Sequence, residues 1–285
     1  MAEPQEFNTP YSPTWCPGCG NFSIWNSLKK ALSELEVEPK DVAIVYGIGC
    51  SGNMNNFVNT YAFHAIHGRT LPVATGIKLA NHNLQVIAVS GDGDGYGIGI
   101  AHLIHAVRRN LNLTYIVHNN MVYGLTTGQT SPTSGKGFVS KSTPGGAIEE
   151  AVNPPALALA AGATFIARGF AGDMPGLTEL IKEAIRHRGF SLVDVFQPCV
   201  TFNQVNTYPW YKKRVYRLEE EGYKPDNKSR AFSKSQEWGE KIPTGIFYRE
   251  SRKIYEDELP ALAQSPLVEQ DIGNIDITQA VEEFA

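Results

Sequence analysis

Two sets of residues in this chain have the types and the spacing to do chemistry. The first is Gly91-Asp92-Gly93-Asp94-Gly95, at the end of an apolar run over residues 86–90. It is followed about one crossover unit later by Asn119-Asn120, at the end of a second apolar run over residues 113–117. Glycines leave backbone N–H groups open to a phosphate. A carboxylate and an amide oxygen on neighbouring strand ends form a hard-oxygen pair suited to Mg²⁺ shared with a phosphate-bearing ligand. Three look-alikes fail on visible residues. The dinucleotide fingerprint G-x-G-x-x-G started at Gly91, Gly93 or Gly95 breaks at Tyr96, Ile98 or Ile100, and the next strand ends in asparagines rather than an acid. A P-loop needs a lysine and a Ser/Thr that are missing. A calcium loop starting at Asp92 would need an acid where Leu103 stands.

The second set is Cys16, Cys19, Cys50 and Cys199. The first two form a C-x-x-C within Trp15-Cys16-Pro17-Gly18-Cys19-Gly20, and the others are isolated. In a reducing compartment thiols so placed are ligands or redox groups rather than disulfides. On residue type alone, structural zinc and an iron–sulfur cluster both stay open. His64 and His67 lie three apart and read as a hydrogen-bonded structural pair on one helical face. His102 and His105 read as packing or partner-facing residues.

These residues need a scaffold, and the hydrophobic pattern supplies one. Apolar runs at 41–46, 84–90, 112–118, 163–167 and 191–196 read as strands. Helical spacing begins at Asn21, read as a cap, and continues through Phe22, Trp25, Leu28, Leu32 and Leu35. Further helices are expected at 98–109, 154–161 and 175–187, with two short ones within 53–83 broken at Gly68. Strands alternating with helices predict an α/β fold built on a doubly wound parallel sheet. Residues 123–146 form a Gly/Ser/Thr/Pro segment, longer than the roughly 12–15 residues usual for a structureless loop, and read as functional. Beyond Val200 the pattern dissolves into an aromatic stretch, Tyr208-Pro209-Trp210-Tyr211, a basic one, Lys212-Lys213-Arg214, and a polar tail. The division is an arm at 1–20, an α/β domain at 21–200 and a subunit-contact extension at 201–285. The chain has 285 residues, 42% of them hydrophobic, and a net charge of −4, which gives ample core and no basic excess for nucleic acid. With no apolar run of about 18 residues and a polar N-terminus, the expectation is a cytoplasmic protein without a membrane span.

Gly91-Asp92-Gly93 and the later Asn119-Asn120 resemble the thiamine diphosphate motif. The cysteines, Gly47-Ile48-Gly49-Cys50-Ser51-Gly52, His67-Gly68-Arg69, Gly76-Ile77-Lys78-Leu79-Ala80-Asn81 and Tyr123-Gly124-Leu125-Thr126 are similar to the beta subunit of 2-oxoacid:ferredoxin oxidoreductases, over roughly residues 12–215. Gly128-Gln129-x-Ser131-Pro132-Thr133 is most like the 2-oxoglutarate branch. The resemblance implies Mg²⁺ on Asp92, Asn120 and the Val122 carbonyl, and a diphosphate cradle of Gly91, Gly93, Asp94 and Gly124. It implies further cofactor contacts from Gly49, Cys50, Ser51, His67, Tyr123, Leu125 and Thr126. A [4Fe–4S] cluster on the four cysteines would neighbour the thiamine, and Asn53, Leu125 and Thr126 would face the substrate. His67 is the one candidate catalytic residue. The activating glutamate is expected from an alpha subunit, in an (alpha-beta)2 assembly that uses a 2-oxoacid, coenzyme A and ferredoxin in either direction. The alternatives are a pyruvate or broad-specificity enzyme, or a non-catalytic iron–sulfur or zinc scaffold.

Overall fold

Apolar runs rich in Val and Ile become parallel strands here because helices cover both of their faces. The computed structural model describes residues 3–262, 265–271, 273 and 275–284. Met1 and Ala2 of the expected arm and residues 263, 264, 272, 274 and 285 of the expected extension lie outside it. The chain runs α1 (Asn21–Glu34), β1 (Val42–Tyr46), β2 (Tyr61–His64), α2 (Thr70–Ala80) and β3 (Gln85–Gly91). A π-helical turn (Gly93–Ile98) then leads to α3 (Ile100–Arg109) and β4 (Thr114–Asn119). After a long loop come α4 (Pro154–Ala161), β5 (Phe165–Phe170), α5 (Met174–Arg186), β6 (Ser191–Phe196), α6 (Tyr208–Lys212), β7 (Val215–Arg217), α7 (Lys228–Ser235) and β8 (Ile242–Arg249).

One eight-stranded sheet has the order β2-β1-β3-β4-β6-β5-β8-β7. Every neighbouring pair is parallel except β5 with β8. Side chains alternate between two cores: Ile44, Ile87 and Ile116 pack toward α1 and α5, while Val45, Val86 and Tyr115 pack toward α2, α3 and α4. The strand order reverses between β1 and β3, the kind of switch point at which open α/β sheets bind ligands at strand carboxyl ends.

The doubly wound sheet expected from the pattern is present, with three more strands than the five apolar runs. Residues 53–83 hold one helix, α2, not two; the first half is a short turn, Gly52–Asn56, and then β2. All four β2 residues are exposed on a strand paired only with β1, so no buried alternation marked them. The tail contributes β7 and β8 to the same sheet; Pro243 and Gly245 inside β8 are breakers that disguise it as loop. Asn21 is not a cap but the first residue of α1, wholly buried, with Gly20 at the cap position. The basic stretch is partly tied down: Arg214 lies over the Trp210 ring at 4.5 Å and pairs with Glu240 at 3.7 Å.

Ile116 is fully buried at the centre of β4, the strand that delivers Asn119 and Asn120. Ile116→Ala should lower stability by about 2–5 kcal/mol, seen as an earlier denaturant midpoint. An unchanged midpoint would contradict this packing.

Candidate active site

The carboxyl ends of β1, β3 and β4 lie side by side, and the loops that follow them enclose a cavity of about 310 Å³. Every cofactor-contact position named from the sequence lines it: Gly49, Cys50 and Ser51 after β1; Gly91 to Asp94 after β3; Asn120 and Val122 to Thr126 after β4; and His67 at the side. Ile48 and His118 complete the wall. Asn53 does not line it, sitting in the turn that follows Ser51. A cavity of about 600 Å³ lies beyond the Asn119–Thr133 wall, near Trp210 and Trp238, away from these residues.

Asp92 is 1% exposed. Ser131 Oγ and Thr133 Oγ1 donate to its Oδ2 at 2.6 and 2.7 Å. Burial pushes its carboxyl up to about 6 against the lowering pull of those hydroxyls and of backbone N–H groups. Both hydroxyls come from the long loop after β4, which folds back over the β3 end; Ser134 Oγ, donating to the Met121 carbonyl at 2.6 Å, pins it there. Thr133 Oγ1 also lies 2.9 Å from Asn119 Oδ1, and Asn119 Nδ2 donates to Asp194 Oδ1 at 3.0 Å. Asp194 faces Arg168, whose Nε lies 3.4 Å from its Oδ2, and receives the Tyr96 hydroxyl at 3.0 Å. Burial pushes Asp194 up and Arg168 down, while each draws the other back toward its charged form. The two asparagines therefore divide the work: Asn119 belongs to the buried network and Asn120 faces the cavity.

Met121, between Asn120 and Val122, adopts a left-handed backbone with φ of 58°, uncommon for a side chain of its size. The bend lets the Val122 N–H donate to Asn120 Oδ1 at 3.1 Å. The glycines are needed for space. A Cβ on Gly93 would collide with the Tyr123 ring, and Tyr123 also donates its hydroxyl to the Gly93 carbonyl at 3.0 Å.

Asp94 turns away from the open space. Its Oδ1 accepts from the Ile48 and Gly68 N–H groups at 3.1 and 2.8 Å and from His67 Nδ1 at 2.8 Å. Its Oδ2 accepts from Thr70 at 3.2 Å and Ser90 at 2.8 Å. It therefore shapes the cradle by holding loops. His64 donates separately, from Nε2 to the Gly47 carbonyl at 2.9 Å, so the two histidines do not form the pair expected of them. His118, buried and held neutral with its pKa near 3 by desolvation, donates from Nδ1 to Asn21 Oδ1 at 2.7 Å. Leu125 and Thr126, at the mouth, are exposed.

The residues fit a Mg²⁺–diphosphate. Among the described residues, the cavity lining contains Asp92 and Asp94 but no Lys or Arg, so a cation beside Asp92 would offset the repulsion between these carboxylates and a bound diphosphate. Asp92 has neutral hydrogen-bond partners, and Asn120 and Val122 add oxygen donors beside it.

The four cysteines also meet. A Cβ on Gly124 would stand 3.6 Å from Cys50 Sγ and 3.7 Å from Cys199 Sγ, so one residue of the cavity wall lies against both thiols. The C-x-x-C loop reaches them through the Gly20 N–H, which donates to the Pro198 carbonyl at 3.2 Å, and through Trp15 Nε1, which donates to the Cys50 carbonyl at 2.7 Å. Burial pushes Cys19 up to about 12 and Cys50 up to about 11, with the other thiols adding to the rise. Among the described residues, no three His, Cys, Asp or Glu side chains close around a point as one ion requires. Four thiols near one another are the donor set that a [4Fe–4S] cluster takes.

Sequence reasoning did not find Ser131 and Thr133 as Asp92 partners, nor Asn119, Asp194, Arg168 and Gln197 as the network behind them. Only the Ser/Thr content of the long loop and the nearness of Gln197 to Cys199 signalled them.

The thiamine pyrophosphate enzyme C-terminal TPP-binding domain matches residues 47–195, and the C-terminal family of the pyruvate ferredoxin oxidoreductase beta subunit matches 199–264. The beta subunit of a 2-oxoacid:ferredoxin oxidoreductase from Saccharolobus solfataricus is 48% identical over 266 residues, covering 89% of this chain and 87% of the relative. The 2-oxoglutarate oxidoreductase subunit KorB of Mycobacterium tuberculosis is 47% identical over 199 residues, covering 70% of this chain and 53% of the relative. Among solved structures, the 2-oxoglutarate:ferredoxin oxidoreductase from Magnetococcus marinus, with 2-oxoglutarate, coenzyme A and succinyl-CoA bound, superposes with a TM-score of 0.91 at 36% identity. It covers 100% of this chain and 96% of that one.

Asp94→Ala should strand the N–H groups of Ile48 and Gly68, at about 1–3 kcal/mol for each buried donor left unpaired. Hydrogen exchange should accelerate in residues 47–52 and 66–70 ahead of the sheet. Uniform acceleration over the whole chain would show that Asp94 does not hold these loops in particular.

Proposed function

The chain belongs to the beta subunits of the 2-oxoacid:ferredoxin oxidoreductases, and from that membership we propose that it supplies half of an active site for 2-oxoglutarate. The reaction is 2-oxoglutarate, coenzyme A and two oxidised ferredoxins giving succinyl-CoA, CO₂, two reduced ferredoxins and a proton, or the reverse. One observation carries the reading: the cavity lined by Asp92, Asn120 and Val122 shares its Gly124 wall with the thiol group. A carbanion-forming cofactor and a one-electron acceptor set side by side are what oxidative decarboxylation needs.

Asp92, Asn120 and the Val122 carbonyl hold Mg²⁺, and the backbone of Gly91, Gly93 and Gly124 admits the diphosphate. Cys16, Cys19, Cys50 and Cys199 hold a [4Fe–4S] cluster. Thiamine diphosphate, when bound, supplies the carbon-centred nucleophile and electron sink for loss of CO₂. Ser131 and Thr133 keep Asp92 aimed at the metal. His67, oriented by Asp94, stands at the cavity side with its ring turned toward Tyr123, centroids 6.2 Å apart, and is positioned to contact cofactor or substrate. Leu125 and Thr126 meet the substrate at the mouth; Asn53 contributes at most through its turn.

Among the described residues no glutamate lines the cavity, so the group that activates the thiamine ring comes from an alpha subunit. In functional terms the chain divides at residues 20 and 200: an arm carrying two thiols, a cofactor domain, and an extension whose strands finish the sheet while its surface meets other subunits in an (alpha-beta)2 assembly. No helix among the described residues is long and apolar enough to cross a membrane. The proposed setting of the assembly is the cytoplasm.

Co-expressed with its alpha subunit, the protein should reduce a viologen dye in a manner dependent on both 2-oxoglutarate and coenzyme A, and the beta chain alone should not. Asp92→Asn should abolish Mg²⁺-dependent thiamine diphosphate binding measured by calorimetry. Thr133→Val, which leaves the ligand but frees it, should weaken metal affinity by roughly 10- to 100-fold. A purified complex that binds no thiamine diphosphate would refute the assignment.

A further inference from the structure

Gln197 is the residue after β6 and is 1% exposed. Its backbone N–H donates to the Asn119 carbonyl at 2.9 Å, extending the β4–β6 ladder by one step. Its side chain lies between the two halves of the proposed site. Nε2 donates to the Pro198 carbonyl at 2.9 Å and to Cys19 Sγ at 3.3 Å, and Oε1 accepts from Asn120 Nδ2 at 3.0 Å. Among the described residues it is the one side chain that donates a hydrogen bond to any of the four sulfurs.

The direction of these bonds is forced. The Pro198 carbonyl can only accept, so the nitrogen end of the Gln197 amide faces Cys19. The Val122 N–H can only donate, so the oxygen end of the Asn120 amide faces Val122 and its nitrogen faces Gln197. The result is a one-way chain, with Val122 N–H donating to Asn120, Asn120 to Gln197 and Gln197 to Cys19. Gly20 makes room for it: a Cβ there would come within 2.9 Å of Gln197 Cγ and 3.2 Å of Nε2. That gives the glycine after the C-x-x-C pair a reason beyond turn geometry.

We propose that Gln197 is a positioning residue that couples the metal–diphosphate site to the reduction potential of the cluster, acting through Asn120 on one side and Cys19 on the other. The inference rests on the reading of Asn120 as a metal ligand and of the cysteines as cluster ligands. An N–H directed at a cluster sulfur stabilises the more negative, reduced state and raises the potential. A cation drawing on Asn120 Oδ1 polarises that amide, strengthens its N–H toward Gln197, and passes the effect along aligned donors. Occupation of the metal–diphosphate site therefore makes the cluster a better electron acceptor when electrons are about to be delivered.

The test uses the alpha–beta holoenzyme, as wild type, Gln197→Met and Gln197→Glu. The methionine keeps the length of the side chain and removes both hydrogen-bonding functions; the glutamate keeps an acceptor for Asn120 and removes the donor to Cys19. Iron and sulfide content is measured first. The cluster potential is then followed by electron paramagnetic resonance in a redox titration, with and without Mg²⁺ and thiamine diphosphate. In the wild type, cofactor should shift the potential upward. Gln197→Met, with full iron content, should have a lower potential, should lose the cofactor-induced shift and should bind thiamine diphosphate several-fold more weakly. Gln197→Glu should lower the potential while retaining most of the cofactor affinity. A loaded Gln197→Met or Gln197→Glu enzyme with wild-type potential and an undiminished shift overturns the coupling and leaves the functional reading intact. A wild-type enzyme without iron and sulfide overturns both.

Discussion

A single buried carboxylate holds the working edge of this sheet together. Asp94 accepts hydrogen bonds from residues that follow β1, precede and open α2 and lie near the end of β3, with one oxygen serving two backbone N–H groups and an imidazole and the other serving two hydroxyls. Hydrogen bonds to a charged group contribute about 1.5–3 kcal/mol each. They also replace the water this carboxylate loses on burial. The loops after parallel strands have no ladder of their own, and this shared acceptor gives them one geometry. Gly47 completes the arrangement, since any Cβ there would occupy the place of the Asp94 carboxylate.

Behind that edge the polar groups form a second continuous structure. From Arg168 through Asp194, Asn119 and Thr133 to Asp92, each link is buried and each side chain has a role as donor or acceptor. Burying an ion pair such as Arg168–Asp194 brings little net stability, because desolvation offsets the attraction. Arg168 offsets part of that desolvation by lying between the rings of Phe196 and Phe247, at 5.0 and 5.3 Å. What the network gives the site is a fixed rotamer for Asn119 and, through Thr133, for Asp92.

The parts of this molecule that were legible in the amino-acid order are those governed by local pattern. β1, β3, β4, β5 and β6 are buried on both faces and so appear as largely apolar runs, with Arg168 in β5 and Asp194 in β6 as buried charged exceptions. α4 and α5 carry their own signals, Pro154 in the first and Asp173 accepting the Gly176 N–H at the start of the second. β2 escaped because an exposed edge strand imposes no alternation, and β8 because it contains Pro243 and Gly245. Asn21 looked like a cap because asparagine favours that place, yet it is drawn inward to receive His118. The cavity residues could be named because they cluster in short motifs. The groups that orient them could not, since Ser131, Thr133, Asp194 and Gln197 reach the site from loops and strands whose separation along the chain carries no periodic mark.

Met121 illustrates what the fold tolerates for the sake of that edge. A side chain of its size in the left-handed region costs on the order of 1–3 kcal/mol, and glycine would remove the strain. Glycine would also enlarge the unfolded ensemble and let the segment between Asn120 and Val122 sample many orientations. Methionine is held by burial and by the Tyr211 hydroxyl, which donates to its sulfur at 3.7 Å. The bend is thus set before any ligand arrives, and the entropy of ordering those three residues is lost once, on folding, rather than at each binding event.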